Sequence, residues 1–306
     1  MQTWQTQGLH LPVSVNVGAR QLQQSNFVNR LQEILADHPA VKPSSLEIEI
    51  LETSALEDLA RVSRVIEECR EFGVTFAMDD FGTGYSSLTY LRRLRVNLLK
   101  IDQSFVRDML DDTDDLTILR GVIGLANSFR REAIAEGVET IDHGTMLLKL
   151  GCELGQGYGI AKPMPAENIP VWLTSWSPDA AWLRQTPISL DDVPLLYARV
   201  EHSAWITAMG AHLRGEQHAP PTLDYHQCSF GKWFDGDGMA RYGTSPAFAH
   251  INTLHHQVHR LGSDLVALQM QGCNALALSK FSELEALRDA LLAQLVLLSE
   301  IGGNQA

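Results

Sequence analysis

A chain of 306 residues, 45% hydrophobic and 20% charged, has room for two globular domains and shows neither the composition of a disordered protein nor that of a fibre. Its net charge of −13 argues against duplex nucleic acid as the main partner, because such binders gain most of their affinity from basic residues on phosphates; a small phosphate ligand bridged by metal stays compatible. No stretch approaches the roughly 20 apolar residues of a membrane helix, no signal peptide opens the chain, and Cys69, Cys152, Cys228 and Cys273 are too scattered for a disulfide framework, so a cytoplasmic location is expected.

The first ten residues read as the tail of a helix running into a strand. From Leu11 to about Pro165, short runs of Val, Ile and Leu alternate with amphipathic helical stretches, the α/β signature. The expected strands are Pro12 to Val17, Ser45 to Leu51, Thr75 to Asp79, Leu98 to Ile101, Ala133 to Ala135 and Leu154 to Gly157. Acidic, amide and basic residues recur at or just after their C-terminal ends (Asn16, Glu49, Asp79, Asp80, Lys100, Asp102, Glu136 and Gln156), the face on which a (β/α) barrel builds its site. Residues 172 to 194 lose this alternation, concentrate prolines and read as a linker. Beyond them Leu195 to Leu213, Pro246 to Gln271 and Ala275 to Ile301 show helical periodicity without an intervening strand, as in an antiparallel bundle. The expected division is a barrel over 1–171, a linker over 172–194 and a bundle over 195–306.

Met78-Asp79-Asp80-Phe81-Gly82-Thr83-Gly84-Tyr85-Ser86-Ser87-Leu88 sets two adjacent carboxylates at a strand end before a glycine-rich turn. Adjacent carboxylates repel unless cations neutralise them, and hard oxygen ligands suit Mg²⁺ or Mn²⁺. Alone, the pair could as well cap a helix. The run resembles the EAL-domain family of cyclic-di-GMP phosphodiesterases, and five further motifs follow in family order between Pro12 and Pro165. These are Ser14 to Leu22 with Asn16, Leu46 to Glu52 with Glu49, Leu99-Lys100-Ile101-Asp102, Ala135-Glu136-Gly137-Val138-Glu139, and Gln156-Gly157-Tyr158; Gly18 stands where the family usually has Ser.

The resemblance implies an α/β fold, a (β/α)8 TIM-like barrel, and two-metal hydrolysis of cyclic di-GMP to linear pGpG. It implies that Asn16, Glu49 and Asp79 hold one cation, that Asp79 with Asp80 helps hold a second, that Lys100 orients the attacking water, and that Glu136 is the general base. Glu52 is expected to steady the loop after the Asp-Asp pair, Glu139 to support the ligands, and Gln156 to contact the site from the last strand. The Glu-Ala-Leu strand that names the family is absent before Asn16, so the barrel is expected to be incomplete, lacking its first strand-helix unit. An inactive cyclic-di-GMP receptor, or a truncated fragment acting as an interaction module, is the alternative reading.

In the C-terminal part, His255 and His259 lie one helical turn apart in His255-His256-Gln257-Val258-His259, a spacing that lets two imidazoles share a metal, although such a pair also arises by chance on a helix surface. Cys228 in Cys228-Ser229-Phe230-Gly231-Lys232-Trp233-Phe234, with His202 earlier, completes a tetrahedral N and S donor set for Zn²⁺. His226 and His256 are competitors ranked below His202 and His255, and Trp205 and Trp233 are expected to pack around the site. The Leu195 to Ile301 region resembles the chemoreceptor zinc-binding (CZB) family, which implies a four-helix bundle that senses zinc, or in some members thiol oxidants, and controls an attached output domain. Both resemblances make a homodimer the expected assembly.

Overall fold

The structure, a computed structural model, describes residues 1–53, 58–84 and 88–303. Tyr85, Ser86 and Ser87 of the glycine-rich turn lie outside them. The chain divides into two compact units, Met1–Arg107 with Thr117–Gln185, and Asp108–Leu116 with Thr186–Ala306.

The first unit is built on six parallel strands in sequential order: β1 (Val13–Asn16), β2 (Leu46–Leu51), β3 (Thr75–Phe81), β4 (Leu98–Ile101), β5 (Glu132–Glu136) and β6 (Leu154–Gln156). Sequential parallel strands require crossovers, and helices supply them. Helix Leu59–Glu71 is representative: Val62, Val65, Ile66 and Cys69 recur on one face and are buried, while the Asp58 carboxylate caps its start by accepting from the Arg61 N–H at 3.1 Å. The central strands are covered on both faces, so all four residues of β4 are buried, including the polar Lys100. At the two ends of the sheet the pattern inverts. Ser14, Val15 and Asn16 of β1 and all of β6 are exposed, because among the described residues no strand pairs with their outer edges. The result is an open arc of six strands, two fewer than a closed eight-stranded barrel needs.

The stretch expected as a linker is not free along its length. Helix Ile169–Ser175 and the turn Trp182–Arg184 belong to the first unit. The Trp182 indole N–H donates to the Ile141 carbonyl at 2.9 Å, and its ring lies where a Cβ on Gly144 would come within 2.4 Å. Tryptophan content among the prolines explains the difference: a large apolar ring finds a surface to cover.

The second unit carries three long helices, Val193–Leu213, Pro246–Met270 and Phe281–Gly303, with Pro194 and Pro246 in their first turns, where a missing N–H costs nothing. Between the first two, three short turns run end to end, Ser229–Trp233, Phe234–Gly238 and Met239–Tyr242. The third expected helix is broken near Lys280 into Asn274–Ser279 and the long Phe281–Gly303. Phe230, Phe234, Phe248, Ile251 and Leu291 are among the core residues. Ahead of the first long helix sits Asp192, which is fully buried. It accepts from the Tyr242 hydroxyl, from the Arg241 guanidinium at 3.1 Å and from the Ser189 hydroxyl at 2.7 Å. No described helix is long and apolar enough to cross a membrane.

Candidate metal centres

The first centre lies where β2, β3, β4 and β5 end. The Lys100 Nζ sits 2.7 Å from Asp79 Oδ1, 3.0 Å from Glu49 Oε2 and 2.6 Å from Glu136 Oε1. Lys100, Glu49 and Asp79 are all buried. Burial pulls the lysine pKa down, but hydrogen bonds to Asp79, Glu136 and Glu49 outweigh it and hold the ammonium above its ordinary value. The Glu136 pKa is raised as well, but by burial, with the Asp79 charge adding to the effect and Lys100 opposing it. The Gln156 amide donates to the same Glu136 oxygen at 2.8 Å, bringing the last strand to the cluster.

In a regular strand, Asp79 and Asp80 would point to opposite faces. The register between β3 and β4 shifts between Met78 and Phe81, and Asp80 takes a left-handed φ of 54°, which Asp tolerates better than most side chains. Oxygens of Asp79, Asp80 and Glu136 thereby fall within 4.8 Å of one another. Burial, then the charges of Asp79 and Asp102, push the Asp80 pKa up. The loop beyond is held by Glu52, only 3% exposed, which accepts from the Gly82 N–H at 3.1 Å. Gly84 packs directly on the same carboxylate, where a Cβ would lie 2.7 Å from Oε1.

Asn16 stands beside Glu49 in the β1–β2 register but is exposed on the edge strand, and the Glu139 side chain is exposed as well. In the sequence Asp102 stands out only as a strand-end residue. In the structure it accepts from the Ser104 N–H at 2.8 Å and stands close enough to Asp80 for its charge to raise that pKa. Its signal was its place two residues after Lys100 at a strand end. Glu49, Asp79 and Glu136 surround one ammonium and Asp80 lies beside Asp79 and Glu136, so the cluster has a surplus of oxygen donors and negative charge that fits hard divalent cations.

The second centre lies inside the helical unit. Ligand atoms of His202, Cys228, His255 and His259 fall within 4.8 Å of one another. His202 comes from the first long helix, His255 and His259 from the second, and Cys228 from the N-cap of Ser229–Trp233, where its sulfur accepts from the Gly231 N–H at 3.2 Å. Gly231 is required there, since a Cβ would fall 1.9 Å from the Tyr225 carbonyl oxygen. The Nδ1 of His202 faces the Ala198 carbonyl at 2.6 Å and that of His259 faces the Leu223 carbonyl at 3.0 Å. These contacts fix the tautomer with the lone pair on Nε2. Both Nε2 atoms are buried without a hydrogen-bond partner. Orphaned acceptors of this kind are costly in a core unless something fills the space between them. Cys228 Sγ lies 3.3 Å from His255 Nε2.

Burial lowers the pKa of His202 to about 4, and burial with the neighbouring histidines lowers that of His255 to about 2; burial lowers His259 too and raises the Cys228 thiol. The imidazoles are therefore held neutral, the form that ligates metal, and this N and S set fits Zn²⁺. His226 and His256 stand outside the set. Trp205 and Trp233 are partly buried against the core. Glu201, which the sequence did not single out, bonds Ser229 and the backbone of Phe230 and so holds the turn that presents Cys228.

An α/β sheet with an acidic cluster around a lysine at its strand ends, followed in the chain by a helical unit with a histidine and thiol centre, defines a two-domain protein organised around two candidate metal sites. The chain belongs to the EAL domain family, whose model matches residues 1–163, and it carries a chemoreceptor zinc-binding domain matched over 202–266. It is similar to cyclic di-GMP phosphodiesterase PA2567 of Pseudomonas aeruginosa, 38% identical over 170 residues that make up 56% of this chain and 29% of that protein. Among solved structures it resembles the PaMucR phosphodiesterase in its c-di-GMP complex, with TM-score 0.53 and 36% identity, covering 55% of this chain and 68% of that one. It also resembles the EAL domain of Mycobacterium smegmatis DcpA, with TM-score 0.55 and 33% identity, covering 58% and 80%. The chain spans less than a third of the length of the curated relatives it matches.

Proposed function

We propose that the first unit hydrolyses cyclic di-GMP to linear pGpG with divalent cations, and that zinc occupancy or oxidation of Cys228 in the second unit sets its output. The observation that carries the reading is the convergence of Glu49, Asp79, Asp80, Lys100 and Glu136 on one point at the strand ends, in a chain of the EAL family. Mg²⁺ or Mn²⁺, held by Asn16, Glu49, Asp79 and Asp80, would supply Lewis-acid polarisation of the phosphate and activation of water. Glu136 takes the proton of the attacking water, a role suited to a carboxylate whose pKa is raised toward neutrality. Lys100 places a buried positive charge where negative charge grows on the phosphate, and Gln156 keeps Glu136 in place. Glu52 fixes the loop after Asp80, and Glu139 supports the site from the loop after β5. In the second unit His202, Cys228, His255 and His259 would hold zinc, and the thiolate offers the route for oxidants. A cytoplasmic homodimer is part of the same proposal.

The same cluster also admits a second reading, a receptor that binds cyclic di-GMP without cutting it. Hydrolysis assays with Mg²⁺ or Mn²⁺ separate the two, comparing this chain, its Glu136→Gln variant and a version extended upstream through any encoded Glu-Ala-Leu strand. Turnover that falls by about 10²–10⁴ in Glu136→Gln supports hydrolysis. Binding without turnover in both lengths establishes the receptor. An unchanged zinc response in Cys228→Ala removes the regulatory part.

A further inference from the structure

The zinc-type ligand set is closed to solvent. His202, His255 and His259 are 1–2% exposed, and only Cys228 is partly exposed, so an ion from solution must arrive on the Cys228 side. A second group of ligating side chains stands there. The Cys228 thiol donates to the Tyr225 carbonyl at 3.2 Å, and the Tyr225 ring is flanked by His226 at 3.9 Å and His256 at 3.7 Å between centroids. The same ring meets His255 edge-on at 5.9 Å. His226, whose side chain is 54% exposed, places its Nδ1 2.6 Å from the Asp235 carboxylate. A carboxylate on Nδ1 orients the ring and leaves the lone pair on Nε2, the arrangement by which proteins prepare a histidine to ligate metal. The backbone of His226 is pinned in turn, its N–H donating to Asp224 at 3.0 Å. The ring centroids of His226 and His256 are 6.4 Å apart, close to the 6.0 Å between His202 and His259 in the inner set.

We propose that His226 and His256, with Asp235 orienting His226, form an outer, weaker divalent-cation site that takes zinc from solution and passes it to the inner ligands. The proposal rests on the reading of the inner set as a zinc site. Two imidazoles with water in the remaining positions make a labile site, whereas three imidazoles and a thiolate make a tight one, so transfer runs inward. Asp224 and Asp235 add negative charge at the mouth, which raises the local cation concentration. In the handover the zinc bond to an outer imidazole breaks as the bond to Cys228 sulfur forms, and the thiol proton leaves to solvent. No electron moves.

The test uses the whole chain, stripped with a chelator, and Zn²⁺ alone as the probe, with loading followed by stopped flow against a chromophoric chelator. The His226→Ala/His256→Ala variant is expected to load at least tenfold more slowly while still binding one tight zinc, and to lose a second, weaker binding event seen at zinc excess. Asp235→Asn is expected to slow loading by a smaller factor. An unchanged loading rate in the double variant overturns the proposal, and so does loss of the tight zinc, which would make these histidines part of the inner set. If Cys228→Ala keeps the tight zinc, the inner-site reading fails instead, whatever the outer pair does.

Discussion

Replacing Lys100 with methionine removes the single ammonium shared by Glu49, Asp79 and Glu136 while keeping most of the side-chain volume. Two of those carboxylates are less than 10% exposed, so water cannot take over the lost partner. Removing one member of a buried ion pair costs about 3–5 kcal/mol. At roughly 2–4 °C per kcal/mol for a unit of this size, the first unit should melt about 6–20 °C lower in chelator. Two rescues follow from the same electrostatics. Glu136 already has a pKa raised by burial, so the folded state takes up its proton before the unfolded chain does, and stability in the variant should rise as pH falls from neutrality through the folded pKa. Divalent cation replaces the missing charge, and Mg²⁺ at a hundredfold over its dissociation constant should return about 2.7 kcal/mol. Differential scanning calorimetry in EDTA and in Mg²⁺, at neutral and mildly acidic pH, reads all three effects. A Lys100→Met protein that melts within a degree of wild type in EDTA, or gains no more from Mg²⁺ than wild type does, refutes the view of this cluster as a site that demands cations.

Gly231→Ala should abolish tight zinc binding and lower the stability of the helical unit by at least about 2 kcal/mol, because its Cβ would meet the Tyr225 carbonyl at 1.9 Å; zinc titration with denaturant unfolding checks it. The chelator-treated helical unit should lose stability as pH falls below about 6.5, since the unfolded chain protonates its histidines there while His202, held down to about 4, does not. That loss should reach about 3 kcal/mol for His202 alone near pH 4, and a flat urea midpoint from pH 7 to pH 4.5 would sink the argument. Tyr242→Phe deletes one donor to the fully buried Asp192 and should cost about 1–3 kcal/mol in urea unfolding, with zinc stoichiometry unchanged.

The strands were legible because runs such as Leu46 to Leu51 combine β-branched and aliphatic residues with flanking turn chemistry, and all six are present within a residue or two of where the sequence places them. The cluster residues were legible by order and position, as polar side chains at the ends of apolar runs. What could not be read is what arises in three dimensions. Nothing in Asp79-Asp80 announces that Asp80 turns left-handed and brings both carboxylates to one side. Gly82 and Gly84 read as a turn, whereas their contact with Glu52 is a meeting across some 30 residues of sequence. Short helices such as Ser229–Trp233 are set by capping and close packing and lack the length over which periodicity can show. The carbonyls that orient His202 and His259 carry no side-chain signature at all.

The two centres meet the same difficulty, converging ligands in a place with little water, by opposite means. In the first, the ligands are charged and the chain supplies its own cation, so Lys100 lets the acidic cluster assemble before any metal arrives. On the proposed function, a lysine that holds the carboxylates together in this way would keep its charge beside a phosphate once metal had taken its share of the oxygens. In the second, the ligands are held neutral, with imidazole pKa values pushed down and the thiol pushed up, so they pack together without a counter-ion and leave only two unpartnered nitrogens. Such a site gains its charge only when metal enters and Cys228 gives up its proton. Zinc entry with loss of the Cys228 proton would change the charge of the second centre by less than one divalent cation changes that of the first, so what occupancy would alter most there is bonding: four uncharged side chains that no counter-ion holds together would become ligands of a single ion.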